Sequence, residues 1–360
     1  MKNTSQLRSF PREIKFGSKM VGQNHPVYII ADIGANFDGS LKKAKSLALA
    51  AKQSGADVVK FQTFNAQKIV SAKGFASMRL TGVHGSWGKP INEVFKEAEF
   101  PRKWHKELFD YCKKINTTFT SSPYDFDAVD LLVQLGVDFI KIGSGDITWL
   151  EMLKFIAQKG IPMVLATGAS TLAEVDEAVQ TILSTRNNKL CLLQCITNYP
   201  SKVESANINV LKTYQTAFDI ITGYSDHSPG DTVVLGAIAQ GAKVIEKHFT
   251  LNKKDRGPDH PHSMEPGEFS SMVKKIRLLE KALGSSKKEV VAEESETVIV
   301  QRRSIYARKA IPKGKKITKK DLIELRPALG LPPKYGQFIL GRKAKITIQE
   351  GNLINLNMVC

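Results

Sequence analysis

Two histidines follow strand-like runs within residues 223–250. His227 comes directly after "IITGYSD" and His248 directly after "KVIEK", and a helix-like stretch separates the two runs. Because neutral imidazoles bind Mn²⁺, Fe²⁺ and Zn²⁺, two of them at neighbouring strand ends could hold a divalent metal. Glu246 falls on the same side of its strand as His248 and could be a third ligand or a hydrogen-bond acceptor behind one. The structural alternatives are a pair of hydrogen-bonded histidines and an ion pair between Glu246 and a neighbouring lysine.

Two lysines interrupt runs that are otherwise almost entirely apolar. Lys60 lies in "VVKFQ" and Lys141 in "FIKIGSG". A buried lysine needs a partner, and with serines nearby in both cases an anion such as phosphate or carboxylate is the natural one. A lysine at the end of a strand could instead form a Schiff base with a carbonyl substrate, as in class I aldolases. The residues alone leave both enzyme types open.

These residues require a scaffold that brings strand ends together. Eight short apolar runs alternate with amphipathic helical stretches over residues 27–283, as expected for buried parallel strands. This count predicts a (β/α)8 TIM barrel, in which catalytic groups lie at the C-terminal ends of the strands. A doubly wound open sheet is the second choice, but no GxGxxG follows the first strand. The predicted strands are 27–34, 56–62, 117–122, 138–144, 161–168, 190–195, 219–225 and 242–249.

The alternation of strands and helices stops near residue 284. Residues 1–284 are predicted to form the barrel domain, and the stretch before its first strand could cover the barrel bottom. Residues 285–300 are predicted as a linker, and residues 301–360 as a small β-rich domain with Gly/Pro turns. The last segment carries 14 lysines and arginines against three acidic residues, within a chain of net charge +17. A third functional alternative is therefore a non-catalytic protein whose basic domain binds a polyanion.

The composition is typical of a soluble protein. No apolar run reaches the roughly 18 residues that a membrane span needs, and "MKNTSQLRSFPREIKFG" lacks a signal-peptide core. The four cysteines have no CxxC or zinc-ribbon spacing, and Cys191 and Cys195 are interpreted as small buried hydrophobes. We therefore expect a cytoplasmic protein without a membrane partner.

A series of short motifs runs along nearly the whole chain. They are "IADIGANFDGS", "VVKFQTF", "FTSSPYD", "KIGSGDITW", "ATGAS", "LQCITNYP", "GYSDHSPG", "VIEKHFT" and "DRGPDHPHSMEPGEF". Each motif is weak alone, but their order and spacing resemble the sialic acid synthases, also called nonulosonate synthases. The later "KAIPKGKKIT" and "LRPALGLPP" resemble the antifreeze-like (SAF) domain that closes the chains of this family.

The resemblance implies a reaction, a cofactor and an assembly. In this family phosphoenolpyruvate condenses with the open-chain aldehyde of an N-acetylated amino sugar, and a nine-carbon 2-keto-3-deoxy acid forms as phosphate leaves by C–O cleavage. A divalent metal, commonly Mn²⁺ or Mg²⁺, activates the aldehyde. An arginine of the SAF domain reaches the sugar site of the partner subunit, which implies a domain-swapped homodimer and no nucleic-acid partner.

The resemblance also assigns roles to individual residues. The metal ligands of the family match His227 and His248, beside the candidate third ligand Glu246. The predicted catalytic residues are Asp146, Asp32 and Gln62. The residues that match substrate-binding positions are Lys60, Ser122, Lys141, Ser144, Thr197, Tyr199, Ser225, Asp259 and Arg326.

Four positions bear on the identity of the sugar. Asp32 and Phe37 replace a glutamate and a histidine that are common in the family, and the shorter Asp32 could shift a sugar contact. Asp146 matches the animal-like branch, where bacterial relatives often have glutamate. Thr197 replaces an asparagine and could still donate one hydrogen bond to phosphate. The intact "GPDH" favours a sialic- or legionaminic-type substrate over a pseudaminic-type one.

Overall fold

The computed structural model describes residues 9–78, 85 and 88–360 of the chain. The chain divides into two compact units, Met1–Gly284 and Ser285–Cys360. No helix within the described residues combines the length and the apolar character that crossing a bilayer requires.

The first unit begins with a hairpin of two antiparallel strands, β1 (Glu13–Phe16) and β2 (Lys19–Gly22). Its apolar side chains join a cluster that also contains residues from the start of the barrel strands. Phe16 stacks on Phe139, with ring centroids 4.5 Å apart, and meets Tyr28 edge-on at 5.4 Å. The segment before the first barrel strand therefore covers the N-terminal end of the barrel.

Eight parallel strands form the barrel, as the sequence predicts. Their hydrogen-bonded order is β5-β4-β3-β10-β9-β8-β7-β6. The seam between β5 and β6 is bridged by the Thr120 hydroxyl, which donates to the carbonyl of Phe139 at 2.7 Å. The strands are β3 (Tyr28–Asp32), β4 (Val58–Thr63), β5 (Thr118–Pro123), β6 (Ile140–Ile142), β7 (Met163–Ala166), β8 (Leu190–Cys195), β9 (Ile221–Asp226) and β10 (Val244–His248).

The strands are buried on both faces, which explains their nearly continuous apolar runs. In β4, Val59 and Phe61 pack in the large cluster that also includes the surrounding helices, whereas Val58 packs in the smaller cluster inside the barrel. Side chains alternate along a strand, so Lys60 shares the inward face with Val58. The fold therefore places the side chain of Lys60 inside the barrel.

Helices surround the strands and begin and end at recognisable signals. The helix Leu172–Ser184 starts with a capping box between Thr171 and Glu174. The helix Phe126–Leu135 ends at Gly136, whose φ of 76° suits glycine. The helices described in this unit are α1 (Leu41–Gln53), α2 (Ala66–Ile69), α3 (Ala72–Ala76), α4 (Ile91–Ala98), α5 (His105–Lys114), α6 (Phe126–Leu135), α7 (Leu150–Gln158), α8 (Leu172–Ser184), α9 (Val210–Phe218), α10 (Thr232–Ala239) and α11 (Pro266–Leu283).

The second unit has its own small apolar core. The strands β11 (Ser304–Ala307) and β12 (Leu322–Leu325) pair antiparallel, and isolated β-bridges such as Ile311–Ile348 add further short pairings. The helix α12 (Ser295–Gln301) precedes these strands, in the segment predicted as a linker. The buried core side chains include Ile305, Ala307, Ile311, Ile317, Leu322, Ile339, Ala344, Ile348, Ile354 and Val359.

Candidate active site

Two lysines and one glutamate form a buried ion cluster inside the barrel. The Lys141 Nζ lies 3.1 Å from the Oε1 of Glu246, and the Lys60 Nζ lies 3.7 Å from the same oxygen. All three side chains are at most 8% exposed. Burial alone would raise the pKa of Glu246, but Lys141 and Lys60 outweigh it, so the pKa is held below its usual range. The cluster places two ammonium groups next to each other, as an anion site requires.

The serine hydroxyl groups predicted to bind the anion are buried, and one of them contacts this ion cluster. Ser225 donates to the Oε1 of Glu246 at 3.1 Å. The Oγ of Ser122 is buried and makes no hydrogen bond within the described part of the chain. Ser144 accepts a bond from the Gly168 N–H at 2.9 Å. A Cβ on Gly168 would lie 2.1 Å from the Oγ1 of Thr197, so this position needs glycine. Ser225 therefore contacts the ion cluster, and Ser144 and Thr197 lie together beside Gly168.

Asp32 connects the lysines to the histidines. Its Oδ2 lies 2.8 Å from the Nζ of Lys60 and 3.2 Å from the Nε2 of His248. Burial would lower the pKa of Lys60, but Asp32 and then Glu246 outweigh it, and the pKa is raised. Although Asp32 is shorter than the glutamate that is common in the family, its carboxylate reaches both Lys60 and His248. It orients the imidazole of His248 through the Nε2 atom.

The imidazoles of His227 and His248 lie close together, with ring centroids 5.4 Å apart. The Nδ1 of His227 lies 2.9 Å from the carbonyl of Ile196, to which it donates, which leaves Nε2 as the nitrogen that could bind a metal. The Nδ1 of His248 is buried and makes no hydrogen bond to any residue that the structure describes. Burial, reinforced by the neighbouring histidines, lowers the pKa of His248 well below its usual range. Both rings therefore offer a lone pair.

His262 was missed by the sequence reasoning. Its side chain is only 3% exposed, and its Nε2 lies 3.9 Å from an oxygen of Asp259. Burial lowers the pKa of His262 to about 4. The ligand atoms of His248, Asp259 and His262 all lie within 4.8 Å of one another, and we call these three residues the cavity cluster. The motif "DHPH" was a signal, because it adds histidines directly after the predicted sugar-binding aspartate.

Asp259 is held in place by the backbone at the end of β3. Its Oδ2 accepts a hydrogen bond from the Ala35 N–H at 2.8 Å. Gly34 has a φ of 51°, and a Cβ there would lie 2.2 Å from the same oxygen. Burial raises the pKa of Asp259 to about 6, against the effect of the Ala35 bond. Only glycine at position 34 allows this close approach.

A cavity of about 230 Å³ opens above these groups. Its lining combines polar groups, which include the cavity cluster and Gln62, with apolar side chains such as Phe64 and Val94. The Tyr199 ring lies between the histidines, with centroids 4.2 Å from His227 and 5.2 Å from His262. The cavity is lined by Ala35, Gln62, Phe64, Ile69, Val94, Phe95, Ala98, Tyr124, Tyr199, His248, Pro258, Asp259 and His262.

Asp146 lies in a single 3₁₀ turn, Ser144–Asp146, that is separated from the end of β6 by Gly143 alone. Its Oδ2 is buried and makes no hydrogen bond among the described residues. Burial raises the pKa of Asp146 to about 6, although the charge of Lys141 opposes the shift. A carboxyl group with this pKa can hold or release a proton near neutral pH.

Three of the residues singled out in the sequence lie in other surroundings than a substrate or metal site. Glu246 forms the ion pair with lysines that was the alternative to metal ligation, and its role as a ligand stays a prediction. Phe37 packs edge-on against Phe100 in the core, with ring centroids 5.2 Å apart, and is 1% exposed. Its replacement of a histidine therefore changes the core behind β3. Arg326 directly follows β12 in the second unit and is exposed, and its predicted contact with a partner subunit stays a prediction.

Comparisons with known proteins agree with the motifs. The sequence model of the NeuB family matches residues 47–288, and that of the SAF domain matches residues 302–359. The N,N'-diacetyllegionaminic acid synthase of Campylobacter jejuni is 38% identical over 91% of this chain and 98% of its own length. The N-acetylneuraminate-9-phosphate synthase of Mus musculus is 37% identical over 93% of each chain.

A solved structure extends the likeness to the fold. The N-acetylneuraminic acid (sialic acid) synthetase of Leptospira borgpetersenii, in complex with citrate, is 31% identical. It aligns over 81% of this chain and 96% of its own, with a TM-score of 0.72. The family model covers more than half of the chain, and the resemblance seen in the sequence is confirmed. The protein is therefore a member of the NeuB family, with a TIM barrel and a SAF domain.

Proposed function

We propose that this protein condenses phosphoenolpyruvate with an N-acetylated amino sugar, such as N-acetylmannosamine or a related hexosamine. The products are a nine-carbon nonulosonic acid and phosphate. The observation that carries the proposal is the buried pair of Lys60 and Lys141, set among hydroxyls beside a cavity lined by imidazoles. Two ammonium groups suit the phosphate and carboxylate of phosphoenolpyruvate, and the cavity suits the sugar.

The charge balance of the site supports a metal cofactor. Asp32 and Glu246 already balance the two positive charges of Lys60 and Lys141. A phosphoenolpyruvate anion would therefore enter a site without excess positive charge, and a divalent cation would correct this. The lone pairs of His227 and His248 fit such an ion, and Glu246 is the third residue predicted from the sequence. When bound, Mn²⁺ or Mg²⁺ would supply Lewis-acid polarisation of the sugar aldehyde.

The other side chains have distinct tasks in this proposal. Lys60 and Lys141, with Ser122, Ser144, Thr197 and Ser225, bind the phosphate and carboxylate. Gln62, Tyr199 and Asp259 bind the sugar from the cavity wall. Asp32 orients Lys60 and His248. We assign proton transfer around the addition of water at C2 to Asp146, because its buried carboxyl group has a pKa of about 6.

The Schiff-base alternative is disfavoured by the state of the lysines. A lysine nucleophile must lose its proton, yet the pKa of Lys60 is raised, because Asp32 and Glu246 outweigh the effect of burial. Lys141 is likewise paired with Glu246. Borohydride treatment in the presence of pyruvate and sugar should therefore leave the protein mass unchanged. An adduct on either lysine would favour the aldolase.

We also propose that Arg326 completes the sugar site of a partner subunit in a domain-swapped homodimer. The Arg326→Ala variant should raise the KM for the sugar more than the KM for phosphoenolpyruvate. Sedimentation should give a dimer for both proteins. An unchanged sugar KM, or a monomeric active enzyme, would contradict this assembly.

The test of the reaction is release of phosphate from phosphoenolpyruvate in the presence of Mn²⁺ and one sugar at a time. The panel contains N-acetylmannosamine, its 6-phosphate and the 2,4-diacetamido-trideoxyhexoses of the legionaminic and pseudaminic routes. We include all of them because relatives named for different products are 38% and 37% identical to this chain. Release with one sugar, abolished by EDTA, supports the proposal. Silence with every sugar, together with salt-dependent retention of nucleic acid, would favour the polyanion-binding alternative.

A further inference from the structure

Tyr124 directly follows β5 and lines the cavity together with Gln62 and Asp259, and no step of the proposed reaction uses it. We propose that the Tyr124 hydroxyl is a further catalytic group, which donates a hydrogen bond to the oxygen of the sugar aldehyde while phosphoenolpyruvate attacks the aldehyde carbon. The inference rests on the proposed function, because it names an additional donor for that reaction.

The backbone on both sides of Tyr124 fixes its position. The N–H of Tyr124 donates to the carbonyl of Thr63 at 3.1 Å, which connects it to the end of β4. The next residue, Asp125, is the N-cap of α6, and its side chain accepts a hydrogen bond from the Ala128 N–H. Because Tyr124 lies between a strand end and a helix cap, its side chain is preorganised to contact a ligand.

The side chain of Tyr124 has a close neighbour at each end. Phe64 meets the ring edge-on, with centroids 6.0 Å apart and an angle of 82° between the planes. The hydroxyl lies against Gly143, where an added Cβ would be 3.1 Å from the phenolic oxygen. Gly143 directly precedes the turn Ser144–Asp146. The hydroxyl is therefore near the turn that carries Asp146, the residue to which we assign proton transfer.

The charged groups around Tyr124 keep its phenol neutral. Burial raises the pKa of Tyr124 above its usual value, Lys60 opposes this shift, and Asp146, Asp32 and Glu246 reinforce it. The phenol therefore keeps its proton near neutral pH, as a hydrogen-bond donor must. Lys60 and Glu246 belong to the ion cluster, so Tyr124 faces the proposed phosphoenolpyruvate site as well as the cavity.

The protein itself does not use the Tyr124 hydroxyl as a donor. Within the described part of the chain, this hydroxyl makes no hydrogen bond. Two other tyrosines of the barrel domain differ in this respect: the Tyr214 hydroxyl lies 2.9 Å from that of Thr167, and the Tyr224 hydroxyl donates to the carbonyl of Ala206 at 2.8 Å. A polar group beside a cavity that has no protein partner is available to a bound substrate.

A neutral donor at this place would stabilise the transition state of carbon–carbon bond formation. The electron pair of the enol double bond forms the new bond to the aldehyde carbon, and the carbonyl π electrons move to the aldehyde oxygen. That oxygen gains negative charge and becomes a hydroxyl by taking up the proton that water releases on adding at C2. The hydrogen bond from Tyr124 strengthens as the charge grows, so it lowers the barrier more than it tightens sugar binding.

The kinetics of Tyr124→Phe test the inference, because this variant loses one oxygen and keeps the ring that packs against Phe64. Phosphate release is measured with Mn²⁺, phosphoenolpyruvate and the sugar that supports turnover of the wild type, and thermal melting is recorded in parallel. We expect kcat to fall about 100-fold, as when an oxyanion donor is removed. The KM of each substrate should stay within about twofold of the wild type, because the hydrogen bond acts in the transition state.

The matched control is Tyr28→Phe. The Tyr28 hydroxyl is also buried without a hydrogen-bond partner among the described residues, but its ring packs against Phe16 at the N-terminal end of the barrel. This variant should keep the kcat of the wild type, and both variants should keep its melting temperature.

A kcat of Tyr124→Phe within about twofold of the wild type would overturn the inference and leave the proposed function in place. A loss confined to the KM of the sugar would also overturn it, because the hydroxyl would then hold only the bound ground state. A fall in kcat that Tyr28→Phe shares would assign the effect to packing, with the same consequence. Failure of the wild type to release phosphate with every sugar would remove the proposed function and the inference together.

Discussion

Two clusters of the same residue types lie close together at the C-terminal end of the barrel. The cavity cluster contains His248, Asp259 and His262, and a second group, which we call the latch cluster, contains Asp38, Asp255 and His260. Both combine imidazoles with carboxylates at distances that suit a metal. From composition and distance alone they could not be told apart.

In the latch cluster, the carboxylates and ring nitrogens that could bind a metal already have protein partners. Lys43 pairs with both Asp38 and Asp255, the latter at 2.6 Å. The two ring nitrogens of His260 lie 2.6 Å from the Thr250 hydroxyl and 2.9 Å from an oxygen of Asp38. The polar groups of the latch cluster therefore bind one another and Lys43, and these contacts connect the loop after β10 to the start of α1.

In the cavity cluster, the Nδ1 of His248 and the Nε2 of His262 are buried and make no hydrogen bond within the residues that the structure describes. Satisfied hydrogen bonds therefore distinguish a structural histidine from one that is available to bind a ligand. We therefore expect substitutions in the cavity cluster to affect binding and catalysis, and substitutions in the latch cluster to affect stability.

The largest effect is expected for His248→Ala. Loss of this imidazole should lower kcat/KM by about 1,000-fold, because metal activation is worth several kcal/mol of the barrier. The melting temperature should change little, since one ring nitrogen makes no hydrogen bond among the described residues. Phosphate-release kinetics and thermal melting measure the two quantities. If the variant were less stable but fully active at low temperature, His248 would have a structural role and not a catalytic one.

His105 is a fully partnered buried histidine outside both clusters and should affect stability through pH. Its ring nitrogens lie 2.7 Å from the Thr63 hydroxyl and 3.1 Å from the Arg102 carbonyl, and burial lowers the pKa of His105 to about 4. The folded state favours the neutral ring. Its contribution to the free energy of unfolding is therefore complete above pH 6.5 and is lost as the pH falls towards 4. This loss amounts to about 3 kcal/mol.

The His105→Gln variant isolates this contribution, because it has no ring to titrate. Urea unfolding of both proteins between pH 7 and pH 4 should show the wild type losing its advantage over the variant as the pH falls. A difference that stays constant over this range would mean that the folded protein tolerates the charged ring.

His260→Ala should destabilise the protein by about 2 kcal/mol, because it removes the two hydrogen bonds of a buried imidazole in the latch cluster. Below the unfolding transition the variant should keep a Co²⁺ affinity within about twofold of the wild type. Chemical denaturation and metal titration test both halves. Strongly reduced metal affinity in a folded His260→Ala protein would break the distinction between the clusters.

Lys43→Ala should give the smallest effect and sharpen the comparison. Removing the ammonium group of a partly exposed pair should cost about 1 kcal/mol of stability. It also leaves Asp38 and Asp255 without their cation, so the latch cluster should begin to resemble the cavity cluster. We expect added Mn²⁺ to raise the melting temperature of this variant more than that of an EDTA-stripped Lys43→Arg control. An equal rise in the melting temperature of both variants would show that carboxylates without a cationic partner are not sufficient for a metal site.

The sequence predicts the scaffold well because the scaffold has a periodic signal. All eight barrel strands coincide with apolar runs, and the alternation within "VVKFQ" explains why Lys60 faces inward beside Val58. Strand ends meet at one rim in a barrel, so Lys141 and His248 were found in the same way.

Residues in loops carry no such signal. His262 follows β10 in a stretch without periodicity, and its position next to His248 depends on how the loop folds back through Asp259 and Ala35. Phe37 shows the converse, because its motif suggested the site whereas its ring packs in the core against Phe100. Which donors remain unpartnered is a property of the assembled loops, and local sequence does not encode it.

The most direct test of the account uses phosphoenolpyruvate that carries ¹⁸O in the bridge between C2 and phosphorus. The protein, Mn²⁺ and the sugar that supports turnover are incubated with it, and both products are analysed by mass spectrometry. The account predicts ¹⁸O in the phosphate and none from the bridge in the nine-carbon acid, because the C–O bond breaks. Label retained in the acid, or labelled pyruvate formed without sugar, would contradict the proposed condensation.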